Sequence, residues 1–189
     1  MIATALVGAV VLGVSLRVEP GSDWFYPATL ALAAVWVVGS LASGRVPWGR
    51  PTVGAVVIGL GLAGLFVVGG LVVREIEPLE RQVSKVLDFA DQGSIPLLVL
   101  ITAVNGVAEE MFFRGAAYDA IPSNPVVWTT LANAVATAAA GNLMLAFAAL
   151  LLGVVVGLER RATGGITASV LTHVTWSVAM LFALPALFG

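Results

Sequence analysis

From Val53 to Val73 the chain carries only aliphatic residues, one phenylalanine and glycines, with no charged or strongly polar side chain. A run of that length matches the roughly 20 residues an α-helix needs to cross bilayer hydrocarbon. Further apolar runs lie near 2–16, 26–43, 95–118, 125–140, 143–158 and 164–184, which with 53–73 makes seven. Hydrophobic residues make up 59% of the chain, charged residues 11%, and the mean hydropathy is +1.02. A soluble domain of this size has no means of covering itself with so few charges. The expected architecture is therefore all-α: a polytopic transmembrane helical bundle of about seven spans, one domain over 1–189, integral to a prokaryotic plasma membrane.

Pro20-Gly21, Pro47, Pro51 and Pro122-Ser123-Asn124-Pro125 punctuate the runs as helix stops and restarts. The first run is short enough for the core of a signal peptide, but it lacks the positive flank and small-residue cleavage pattern of one. The fifth and sixth runs are expected to form a tight hairpin through Gly141-Asn142. Between the third and fourth, residues 74–92 mix charges with Ile76, Leu79, Val83, Val86, Leu87 and Phe89 at helical spacing, the pattern of an amphipathic helix on the membrane surface. Arg45 and Arg50 lie in one short connection, Arg160 and Arg161 in another, and basic connections stay cytoplasmic. With seven spans this places the N-terminus in the cytoplasm and the 74–92 segment outside.

The formal net charge is -2 and the pI about 5.3, so there is no basic surface for nucleic acid. With no cysteine and one histidine, His173, the chain has no thiolate nucleophile and cannot build a multi-histidine metal site.

The fourth run breaks the apolar rule. Asn105-Gly-Val-Ala-Glu109-Glu110-Met-Phe-Phe-Arg114 sets two carboxylates and a guanidinium into a helix that should lie in the membrane. Each such group costs about 2.5–3.5 kcal/mol at mid-bilayer on insertion scales, which makes it a functional candidate by default. Glu110 and Arg114 are four residues apart and able to pair, while Glu109 points about 100° away, onto the face of Asn105. A polar clamp between helices is the non-catalytic reading of this cluster. Late in the chain, His173 and Ser177 share a helix face, where an imidazole and a hydroxyl meet the same ligand or serve only as inter-helix hydrogen bonders. Trp128 and Trp176 read as packing or interface anchors.

Glu109-Glu110-x-x-x-Arg114, followed by Gly153-x-x-x-Gly157-Leu-Glu-Arg-Arg-x-Thr163-Gly164 and by His173, resembles the CPBP family of CaaX-protease and bacteriocin-processing membrane proteins over about residues 95–184. The resemblance implies a glutamate-type intramembrane protease fold. Within it Glu109 is the general base that activates water, Glu110 and Arg114 support it, and His173 is an oxyanion donor in a third motif whose last position is Ser177. Two motifs depart from the family. The second, FxxxH, reads Asn133-x-x-x-Thr137 without a histidine, and the third ends in Ser177 where the family has Asn. Asn105, Asn133 and Thr137 are the further candidates for the cavity lining.

Three functions remain open on these residues. One is an intramembrane endopeptidase acting on a membrane protein or peptide, possessing no cofactor and no metal. Another is a catalytically silent relative that binds a membrane partner as a regulatory or immunity-type factor. The last is a small transporter or proton relay, which would ordinarily show an internal repeat that this chain lacks.

Overall fold

The computed structural model describes residues 1–189, except for the side chains of residues 90 and 91. Eight helices follow one another: α1 (Ile2–Ser15), α2 (Phe25–Leu41), α3 (Val53–Val73), α4 (Glu77–Asp91), α5 (Ile95–Ala120), α6 (Pro125–Ala138), α7 (Leu143–Thr163) and α8 (Thr167–Phe188). No strand occurs among the described residues. The protein is an all-α membrane bundle.

Every apolar run is helical, but the runs are not equivalent. By length and composition α3, α5, α7 and α8 are able to cross a membrane, whereas α1 and α2 are apolar and shorter. The fifth run yields only the 14-residue α6. Its limits are local: Asn124 takes a left-handed conformation at φ 51 before Pro125 fixes the first turn, and Gly141, at φ 83, ends the segment beyond. Thr129, Thr130 and Asn133 of α6 are buried while Val127, Trp128, Leu131 and Val135 are exposed, so it turns a polar face inward and an apolar face outward.

The arrangement inverts that of a soluble protein. Val53, Val57, Leu60, Leu65, Val68 and Val72 along α3 are exposed, while Ser40, Glu110, Arg114, Thr129, Ser169, Thr172 and His173 are buried. An apolar outside of this extent makes sense only against hydrocarbon. The helices pair as α6 with α7, α3 with α8, α2 with α5, α5 with α8, and α1 with α2, so α5 lies between α2 and α8. One core gathers Leu32, Ala33 and Trp36 of α2 with Ala108, Phe112 and Phe113 of α5, Trp36 stacking on Phe112 at 5.0 Å between centroids. A second joins Leu62 to Leu152 and Val156.

The α4 segment is the expected amphipathic helix. It packs Val83 and Leu87 inward against α7 and α8, and it is fastened at Gln82, whose side-chain oxygen accepts from the backbone N–H of Leu143 at 2.7 Å while its carbonyl accepts from the Asn142 amide at 2.7 Å. The first N–H groups of α7 are thereby satisfied from outside the helix. Residues between α2 and α3 also strap the bundle: Ile166 N–H donates to Pro47 O at 2.7 Å and Thr167 N–H to Trp48 O at 2.8 Å.

Helices α3 and α8 pack closely. A Cβ built on Gly59 would meet the Thr172 carbonyl oxygen at 2.8 Å and Thr175 Cβ at 2.9 Å. That closeness lets the Thr172 hydroxyl reach Ala55 O at 2.9 Å across the interface, the small-residue packing that membrane helices use in place of a hydrophobic drive. Replacing Gly59 with Ala is expected to push the two helices apart and cost about 1–3 kcal/mol, the usual range for overpacking. Melting in detergent micelles should show the loss for Gly59→Ala and no change for Gly61→Ala, where a Cβ has nothing within 4 Å.

Candidate active site

Glu109 and Glu110 close the regular part of α5, and the next seven residues, Met111–Ala117, wind as a π-helical turn. A π turn shifts backbone bonding from i→i+4 to i→i+5, and such turns are frequent at functional sites. Side chains from other helices hold its carbonyls. The Ser40 hydroxyl of α2 donates to Met111 O at 2.8 Å, and the Arg160 Nε–H of α7 donates to Arg114 O at 2.8 Å. Arg160 also pairs with Asp119 at 2.6 Å and lies over the Tyr118 ring, 4.8 Å from its centroid. One guanidinium thus clamps the end of the motif helix to α7.

Arg114 and Glu110 are both fully buried. Arg114 Nη1 donates to Glu110 Oε1 at 3.3 Å, and Nη2 donates to Gly153 O at 3.1 Å. A Cβ at Gly153 would lie 2.9 Å from that Nη2, so glycine is what admits the guanidinium. Glu110 Oε1 also accepts from His173 Nδ1 at 2.8 Å. Arg114, Glu110 and His173 thus form a continuous chain across α5 and α8. With its Nδ1 proton given to a carboxylate, the neutral imidazole presents a lone pair at Nε2. Nε2 has no protein partner among the described residues.

Glu109 is half-buried, on a neighbouring face of α5. Asn133 of α6 is buried on the side of Glu109, and the His173 ring is near enough to Glu109 for their charges to interact. The geometry therefore gathers Glu109, Glu110, Arg114, Asn133 and His173. Other candidates stand apart. Thr137, at the second-motif position, turns its hydroxyl back to Asn133 O at 2.9 Å. Asn105 gives its amide to Ile101 O at 2.9 Å and leaves Oδ1 buried without a protein partner. Ser177 is half-buried one turn past His173, with no hydrogen bond to the cluster among the described residues.

Ser40 and Arg160 were not legible as site residues. Arg160 reads in the sequence as a connection charge that sets orientation, yet it is 7% exposed inside α7, which runs on to Thr163. The orientation argument is left with Arg45, Arg50 and Arg161. Glu159 is a further polar group of α7, half-buried, with its Oε1 2.8 Å from the Thr172 hydroxyl oxygen. Among the described residues no group of three or more His, Cys, Asp or Glu is placed to hold a metal ion.

Residues 91–179 match the sequence model of the type II CAAX prenyl endopeptidase Rce1-like family. Over these residues, somewhat under half of the chain, the protein is similar to that family. The matched segment runs from the end of α4 into α8 and contains the motif helix, the π turn, α6, α7 and His173. No curated protein and no solved structure matches the chain.

Glu110 Oε2, Arg114 Nε and Thr130 Oγ1 are buried without a protein partner. The pair itself is expected to be asymmetric under mutation. Arg114→Met alone strands the Glu110 carboxylate and should lose about 3–5 kcal/mol, while Glu110→Gln with Arg114→Met should recover much of it. Denaturant unfolding in micelles provides the comparison, and equal losses for single and double variants would contradict the pairing.

Proposed function

We propose that this CAAX-protease-like membrane protein is an intramembrane endopeptidase that hydrolyses a peptide bond of a membrane-associated protein or peptide. The observation that carries the reading is the His173 ring, oriented by Glu110 through Nδ1 with Nε2 free beside Glu109. A carboxylate on one ring nitrogen and an open second nitrogen is the arrangement by which an imidazole takes a proton and later returns it. In the proposed cycle a water between Glu109 and His173 Nε2 gives up a proton as its oxygen attacks the carbonyl carbon. The Asn133 amide donates a hydrogen bond to the developing oxyanion, and the same proton passes to the leaving amine. Arg114 pairs with Glu110 at 3.3 Å and so holds the carboxylate that orients the ring.

In this reading Asn133 stands where the family's second motif has histidine, with Thr129 four residues before it. An amide orients and donates but takes no proton, so the rate is set by a site with one imidazole instead of two. Losing a positioned acid–base group costs about 10² to 10⁴ in rate. The second reading, a silent relative that binds a membrane partner, draws on the same substitution.

The two readings separate in a cleavage assay in lipid against a library of membrane peptides. The wild-type protein is expected to cleave slowly, Glu109→Ala and His173→Ala to abolish cleavage, and Asn133→His to accelerate it by about 10²-fold or more. Thr137→His is expected to leave the rate unchanged. A folded wild-type protein that cleaves nothing, and an Asn133→His variant equally inert, would replace the peptidase by the binding role.

A further inference from the structure

A cavity of about 390 Å³ lies away from the polar cluster, between α3, α7 and α8, with α4 across one end. Its walls come from side chains such as Leu65, Val68, Val86, Phe147, Leu151 and Met180, and Gly69 and Ala148 keep it open. The two polar residues on its rim, Gln82 and Asn142, are engaged with each other and with the start of α7. Neither Glu109, Glu110 nor His173 lines it.

Three of its walls are helices able to cross the membrane, so the cavity sits at the depth of the hydrocarbon, and its lining offers nothing to water. The volume then selects the occupant. A helix of a partner protein is about 10–12 Å across, so even two turns need roughly 850–1,200 Å³. By contrast, a cavity of about 150 Å³ accommodates benzene, and in proportion 390 Å³ holds a chain of roughly 15 carbons. The surface helix α4 puts one end of the cavity at headgroup level, with its apolar Val83 and Val86 facing inward. Trp176 completes the wall nearest the cluster, its ring centroid 6.5 Å from that of His173.

We propose that this cavity is a binding site for one acyl tail of a bilayer lipid, held beneath α4 and braced against Trp176. The inference goes beyond the peptidase reading and does not rest on it. A tail in this place belongs to a lipid resident in the bundle rather than to a substrate, because Trp176 stands between it and Glu109. The bound tail fills the gap between α3 and α7, joins α4 to the spans, and fixes the indole that packs beside His173.

The test uses the full chain purified in a mild detergent, with native mass spectrometry to count retained lipid. The wild-type protein is expected to hold one phospholipid through extensive washing, and Gly69→Leu to lose it. Gly64→Leu, on the same helix and likewise with nothing near its Cβ, is expected to retain it. A phospholipid bearing a photoactivatable 16-carbon chain should label residues of the cavity wall in the wild-type protein, whatever the folding of the variants. Re-adding 16-carbon but not 8-carbon phospholipid should raise the melting temperature of stripped wild-type protein by several degrees, as expected for a ligand bound only by the folded state. Equal retention in all three proteins, labelling spread over the outer faces, or labelling displaced by a second copy of the chain or by a cleaved peptide would overturn the proposal.

Discussion

A fully buried arginine sets the terms for the rest of this bundle. The Arg114 guanidinium cannot give up its proton, so it must be met where it stands. Glu110 answers the charge, the carbonyl exposed at Gly153 takes a second donor, and the shared oxygen of Glu110 continues to His173. Each partner comes from a different element, so α5, α7 and α8 have a single mutual placement in which the charge is tolerated. Burying ions rarely adds stability over an apolar core, and its attested use is to specify one arrangement among many. Here the specified arrangement is also the one that leaves an imidazole nitrogen open next to a second carboxylate.

The apolar runs, the surface helix and the Glu110–Arg114 spacing were legible because each depends on residues near in sequence: helical period, run length and the four-residue offset. The features that were not legible join residues far apart. Ser40 meets Met111 O across 71 positions, and Arg160 meets Arg114 O across 46. No periodicity points to either. Arg160 is the instructive case: the sequence rule counts it as a charge at a span end, and the structure puts it in the last turn of α7, where its buried guanidinium meets the exposed Asp119 and the Tyr118 ring. The length of α6 was overestimated because its buried threonines and alanines are compatible with a span on hydropathy, while Asn124 and Gly141 fix its ends. The second-motif position was not legible to better than one turn, since Asn133 and Thr137 share a helix face and sequence spacing does not distinguish them.

The family match starts near the end of α4, yet the polar cluster within it is not self-sufficient. Trp36 and Ser40 of α2 support the π turn, and the Ala55 carbonyl of α3 receives Thr172, the neighbour of His173. The N-terminal helices thus contribute the back wall of the polar cluster, and Gln82 of α4 fastens the N-terminus of α7.

The π turn also has a geometric consequence for α5. Above it, the helix presents its faces to α2 and α8; below it, Tyr118 and Asp119 turn toward α6 and the guanidinium of α7. One helix therefore serves two sets of neighbours that a uniform winding would not bring into phase together. The extra residue acts as a rotational offset between an upper and a lower half, so a helical wheel drawn from Ile95 would put Asp119 on the wrong side of its own helix.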